Sequence, residues 1–332
     1  MASAITTVAA KMNLPTPSPA VDALIERTMQ VLVLPVVGFC AFLLLWSVAA
    51  QNIDTSLGKF PGPKAVVEQF GSLYEEHNAE REKADAFYKR QEERNAKRME
   101  RDPTYEPKIR PYTGKETYLD QIFTSLKTVM SGFIAAAFIA IPFGIAIGLN
   151  KSLNTAMNPI IQLFKPVSPL AWLPLVTMVV SALYTSPDPT VPKAFINSMI
   201  TVMLCCIWPM IINTAVGVGS IDKDLVNVSK VLRLPSLVHV QKIVLPASIP
   251  MIFTGMRLSL GVAWMVLIAA EMLAQNPGLG KFVWDEFQNG SSDSLSRIMA
   301  AVITIGIIGL FLDLGMLQIQ KIVSWDKSSV VS

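Results

Sequence analysis

Charge is what this 332-residue sequence has little of: Asp, Glu, Lys and Arg make up 16% of it, against about a quarter in ordinary soluble domains. The net charge is only +3 and no stripe of aromatic and basic residues accompanies it, which excludes a nucleic-acid-binding module. Histidine is scarce, and neither His77 nor His239 has a partner at metal-ligand or catalytic-triad spacing. The three cysteines, Cys40, Cys205 and Cys206, all fall in apolar runs and read as small packing residues, so no disulfide and no metal site is expected. A phosphate-cradling GxxxxGK[ST] loop is missing; Gly278-Leu279-Gly280-Lys281 is too short and continues into Phe282. The chain is therefore expected to be no enzyme and to carry no cofactor. No repeat of solenoid length is visible either.

What is abundant is apolar surface, at 52% of residues and with a positive mean hydropathy, the balance of a membrane protein. After a Ser-, Ala-, Pro- and Thr-rich tail over 1–27, the run Thr28–Ala50 is uncharged and long enough to cross roughly 30 Å of hydrocarbon. SVAAQ at its end resembles a signal cleavage region, but the apolar core exceeds that of a signal peptide, so a retained helix is expected. Further runs follow at Thr128–Asn150, Asn158–Tyr184, Ala194–Val218, Ser248–Ala274 and Ile298–Ile322, predicting an all-α polytopic protein with six spans. In the second, Gly132, Ala136, Ala140, Gly144 and Gly148 recur every four residues, a small-residue stripe on which another helix can lie closely. The third is interrupted by Pro159, Pro166, Pro169 and Pro174, which membrane helices tolerate only where neighbours or water satisfy the freed carbonyls. Broken helices of this kind often line substrate paths.

Two stretches stand apart. The segment 51–121 opens with a turn at Phe60–Pro63 and an amphipathic piece carrying Val66, Val67, Phe70 and Leu73, then becomes nearly all charge over Glu75–Asp102, within a charged insertion over 74–111. Acids and bases spaced four apart there predict a solvated single helix, either a spacer or a docking surface for an external binding protein. The other stretch, Gly219–Pro250, is polar, basic and bounded by Pro235, Pro246 and Pro250. Ser220 or Asp222 can cap a first helix on which Leu225, Val228 and Leu232 share a face and Asn227, Lys230 and Arg233 take others. Ser236–Val244 makes a second piece, after which Pro246 is expected to turn the chain into the next span.

This loop resembles the cytoplasmic loop of permeases of bacterial ABC importers, which reads EAA, three residues, Gly, about nine residues, then an apolar pair and Leu-Pro. Here Asn227, Val228 and Ser229 stand at the EAA positions, Arg233 at the Gly, and Ile243-Val244-Leu245-Pro246 at the end. KPVSPLAWLP, NVSKVLRL, PMIFTGMRLSLGVAWMVLIAAEML and GLGKFVWDEFQNG are similar to nitrate-type permeases, with bicarbonate, cyanate and taurine permeases close behind. The resemblance covers roughly Thr28–Trp325 apart from about 40 residues that look inserted in 51–121. It implies a type I permease of six transmembrane helices, its core over 122–322, in the bacterial inner membrane. It further implies a second copy of the chain, two cytoplasmic subunits holding ATP and Mg, and a periplasmic substrate-binding protein. Leu225, Asn227, Val228, Ser229, Leu232, Arg233 and Pro246 become the expected ATPase-coupling residues.

Lysine and arginine are consistent with both termini inside: short inner segments hold Lys151, Lys223, Lys230, Arg233, Lys242, Lys321 and Lys327, against Lys193, Lys281 and Arg297 outside. The tail 323–332 is then cytoplasmic. Within the membrane Arg257 and Asp313 share a depth, which predicts either an ion pair or an electropositive exit in which Arg257 and Lys165 meet a small oxyanion. Trp172, Trp208 and Trp264 are read either as path lining or as packing between helices. Lys127 and Glu271, at helix ends, are expected to snorkel or pair. The function expected is import of nitrate or nitrite, alternatively of bicarbonate, cyanate or taurine, by alternating access. Readings of other classes are an ion-gradient transporter or channel, and a scaffold that recruits a partner through its loop.

Overall fold

The computed structural model describes residues 26–55, 58–102, 105–107, 109–185, 191–291 and 293–323. The expected tails over 1–27 and 323–332 lie, but for three residues, outside the described residues, and so does Lys327. Two compact units are resolved, Met1–Glu68 and Gln69–Ser332.

In the first unit the span Glu26–Asn52 comprises a π-helical turn, Met29–Val33, and helix α1, Leu34–Asn52. Its apolar side chains are nearly all exposed, with Ala50 the buried one in α1, as befits a helix whose surroundings are lipid or another chain. Two-residue strands β1 (Asp54–Thr55) and β2 (Gly58–Lys59) pair antiparallel, and Trp46 Nε1 donates to Pro61 O at 3.1 Å. Pro63 then opens helix α2, Pro63–Arg101. Pro suits a first helical position, where its missing N–H is not needed. The sequence predicts two helices here; the structure has one, because Phe70 to Arg101 contains no residue that breaks a helix except Gly71.

The second unit is built around α3 (Tyr118–Leu149), α6 (Lys193–Gly219) and α9 (Leu245–Ala274), with α6 packed between the other two. The small-residue stripe of α3 is approached closely by another helix, as expected, and that helix is α6. Ala136 and Ala140 are fully buried, and a Cβ on Gly132 would come within 2.7 Å of Met199 O, on Gly144 within 2.7 Å of Thr214 Cβ, and on Gly148 within 2.6 Å of Val218 Cβ. Pro209 interrupts the ladder of α6, and nearby Ser259 Oγ on α9 donates to Cys206 O at 2.7 Å. A neighbouring hydroxyl thus serves a carbonyl beside the interruption. The third run is two helices, α4 (Lys151–Phe164) and α5 (Pro169–Leu183), meeting at 99° across Lys165–Ser168. Among the described residues, five helices are long and apolar enough to cross a membrane, six if this bent pair counts as one span.

Between α6 and α9 come α7 (Lys223–Val231), the single turn α8 (Ser236–His239) and a π-helical turn, Val240–Val244. The π turn runs directly into α9, so Pro246 does not turn the chain, contrary to expectation. It lies just after the π turn within a continuous helical backbone, and the wider turn before it makes room for the ring. Helices α10 (Leu279–Asn289) and α11 (Ser294–Val323) complete the unit.

Candidate functional site

The hairpin between α6 and α9 carries a cluster of exposed apolar side chains outside the spans. Asp222 caps α7 by accepting from Asp224 N at 2.9 Å, and a six-residue closure ends it: Arg233 N donates to Lys230 O at 3.1 Å and Leu234 N to Ser229 O at 3.1 Å. That closure needs a left-handed residue at its corner, and Arg233 supplies it with φ of 49°. Ser229 is buried and shares a hydrogen bond of 2.8 Å with His239 Nδ1 of α8, so it fastens the hairpin internally, away from the surface on which the sequence reading counted it. Leu225, Val228 and Leu232 are exposed, the last two at 51% and 62%, and Val231 joins them at 82%. Asn227, Arg233 and Pro246 are exposed as well. Val231 escaped the sequence reading because a strict i, i+3, i+7 pattern skips it.

Within the span region, Arg257 and Asp313 form a bidentate pair, Nε to Oδ1 at 2.6 Å and Nη2 to Oδ2 at 2.8 Å, with both side chains partly exposed. The geometry is that of a guanidinium fork on a carboxylate. Lys165 is exposed at the α4–α5 bend. Trp264 is buried and donates from Nε1 to Ile305 O at 2.9 Å, which places it in packing between α9 and α11. Trp172 and Trp208 both lie beside Phe164, at centroid distances of 5.9 Å.

Glu271 neither snorkels nor finds a cation. It is fully buried, accepts from Ser125 Oγ at 2.8 Å and from Gly280 N at 3.0 Å, while Ser125 Oγ also accepts from Leu279 N at 2.8 Å. The carboxylate and the serine together cap the start of α10, where unpaired amides and the helix dipole favour an anion. A Cβ on Gly278 would strike this carboxylate, and one on Gly280 the Ile268 carbonyl. The two glycines of the GLGK stretch thus serve a helix start in place of a phosphate. Lys127 lies over the Phe195 ring at 5.6 Å.

The charged segment is not a free helix. Residues 105–107 and 109–117 return along α2: Gln91 exchanges hydrogen bonds with the Arg110 backbone at 3.0 and 3.2 Å, and Tyr112 OH donates to Glu80 at 2.7 Å. Arg297 of α11 grips Glu76 through two bonds of 2.6 and 2.9 Å and also pairs with Glu286, and Arg81 pairs with Asp120 in the first turn of α3. Asp120 accepts from Thr117 N at 3.2 Å in a capping box, while Thr117 Oγ1 lies 2.6 Å from His77 Nδ1. The bonds from Arg297 hold the Glu76 carboxyl below its usual pKa, and that from Tyr112 does the same for Glu80. Burial pushes Glu116 up.

Residues 140–324 match the family of binding-protein-dependent transport system inner membrane components. The nitrate import permease protein of Synechococcus elongatus is 36% identical over 204 residues, which are 61% of this chain and 69% of that protein. That of Leptolyngbya laminosa is 39% identical over 58% of this chain and 64% of its own length. The bicarbonate transport system permease protein of Synechococcus elongatus is 37% identical, over 60% of this chain and 68% of its own. The matches thus span about two thirds of these relatives. Among solved structures, a chain of the inward-facing MetNI methionine ABC transporter aligns over 62% of this chain and 95% of its own at a TM-score of 0.54 and 12% identity, a likeness of fold.

Proposed function

Because the chain belongs to the family of inner membrane components of binding-protein-dependent transport systems, we propose that it is the translocating subunit of an ATP-driven importer for a small anion. Nitrate or nitrite ranks first, on the identity to nitrate import permeases, and bicarbonate second. Two copies pair in the cytoplasmic membrane with both termini inside and receive the anion from an extracytoplasmic binding protein. Each engages one ATP-hydrolysing subunit, which carries the ATP and Mg and does the chemistry. An ion-gradient mechanism is disfavoured, since the family works with a separate binding protein.

The observation that carries this reading is the exposed apolar face of α7, Leu225, Val228, Val231 and Leu232, on a hairpin braced from within by Ser229 and His239. A rigid hairpin with an uncovered apolar face transmits force to whatever covers it. Closure of the two ATPase subunits draws the hairpins together and reorients the spans, and hydrolysis resets them. Cells lacking this chain should lose uptake of labelled nitrate and regain it on complementation; loss of bicarbonate uptake alone would favour the second reading. Val228→Asp, which puts a carboxylate on the contact face, should leave the chain in the membrane but cut anion-stimulated ATP turnover at least tenfold, an interface loss of about 1.4 kcal/mol or more. Undiminished coupling would show that α7 is not the contact.

A further inference from the structure

Among the described residues, two donors beside the bend of the third span have no acceptor. Phe164, the last residue of α4, lies parallel to Trp208 of α6 within 8° and is tilted 30° to Trp172, in the first turn of α5. Both indole Nε1 atoms are buried and without a hydrogen-bond partner among the described residues. Trp264 shows what such a donor ordinarily finds here, a carbonyl at 2.9 Å. An unpaired buried donor is costly, and two around one phenyl ring point to an acceptor supplied from elsewhere. The backbone amides of the turn are already engaged, since Ser168 accepts from those of Leu170, Ala171 and Trp172.

The composition of the stretch that carries these rings points to the sign of the acceptor. From Lys151 to Ile221 the sequence holds one carboxylate, Asp188, while Lys165 sits at the bend and pairs with no acid among the described residues. A carboxylate-poor stretch with one ammonium and two indole donors suits an anion rich in acceptor oxygens and small enough to lie against aromatic rings.

We propose that Trp172 and Trp208, with Lys165, form a transient contact for a small oxyanion at the bend between α4 and α5, on the translocation path. The proposal rests on the importer reading. Because the nitrogens are buried, the anion reaches them only as the helices beside the bend shift, so the contact belongs to the passage step and not to capture.

The test is the complete transporter reconstituted in proteoliposomes with its binding protein and labelled nitrate or bicarbonate, comparing Trp172→Phe, Trp208→Phe and the double variant. Phenylalanine keeps an aromatic ring and removes the N–H donor together with the pyrrole half of the indole. The double variant should move about tenfold less anion per ATP hydrolysed, and each single variant about threefold less, with ATP turnover stimulated by the loaded binding protein within twofold of the parent. An unchanged ratio of anion to ATP overturns the proposal. So does a parallel fall in ATP turnover and in dimer content, which would show that the indoles are partnered by the second copy. If the parent transporter moves neither anion while hydrolysing ATP, the small-anion reading fails instead.

Discussion

Arg233 occupies a backbone conformation that costs a side-chain-bearing residue about 1 kcal/mol and a glycine almost nothing. Arg233→Gly should therefore stabilise the closure of α7 by about that amount, slowing amide exchange at Leu234 roughly fivefold; faster or equal exchange would contradict it. The sequence marks Arg233 as a departure from a pattern that usually has glycine, yet only the torsion shows that the position still demands glycine's conformation. Glu271 teaches the reverse lesson. Its partner Ser125 is 146 residues away, so spacing along the chain made it a helix-end carboxylate free to snorkel, whereas it holds the start of α10 from inside the protein. Glu271→Ala leaves Ser125 and Gly280 short of an acceptor and should lower stability by about 3 kcal/mol, and Glu271→Gln by less than half of that, because an amide oxygen still accepts. Thermal unfolding of the detergent-solubilised protein checks the order; equal losses would deny Glu271 a capping role.

Among elements, the spans were legible because long apolar runs need no partner to be recognised, and the stripe on α3 because small residues every four positions have one physical use. What escaped was continuity. Pro246 looks like a break until the π turn ahead of it is seen, and Pro63–Arg101 looks like two helices because its composition changes while its backbone propensity does not. The Arg257–Asp313 link between α9 and α11 was one of two readings, and the bidentate geometry is the pairing one. Arg257→Ala leaves Asp313 uncompensated and should reduce the amount of transporter in the membrane; Arg257→Ala with Asp313→Ala should restore it. Uptake by the double variant then separates the roles. Recovery of transport along with protein makes the pair structural, while normal protein levels with absent uptake make Arg257 part of the path.

For the whole molecule, the charged segment is the largest departure from a solvated spacer: it folds back on itself and is clamped to α3 and α11. The clamp carries a pH dependence. Glu76 has its folded-state pKa lowered below the usual 4.5 by Arg297, so its contribution is fully present above pH 4.5 and is lost as the pH falls through the lowered value. Glu116, raised by burial, acts oppositely, costing stability as the pH rises through its own value. Protease nicking between residues 76 and 117 should therefore accelerate on acidification below pH 4.5, and Arg297→Gln should give the fast rate at neutral pH already. A nicking rate independent of both would leave the clamp without energetic weight. None of these cross-links is local in sequence, Glu76 and Arg297 being 221 positions apart, so periodicity could not reveal them.

That clamp has a mechanical corollary. Helix α2 is bolted through Glu76 to Arg297 at the start of α11 and through Arg81 to Asp120 at the start of α3, so it bridges two helix ends as a strut. Any stroke that pulls those ends apart loads the strut in tension, and the amplitude of opening at that rim is metered by how far its two bolts can yield.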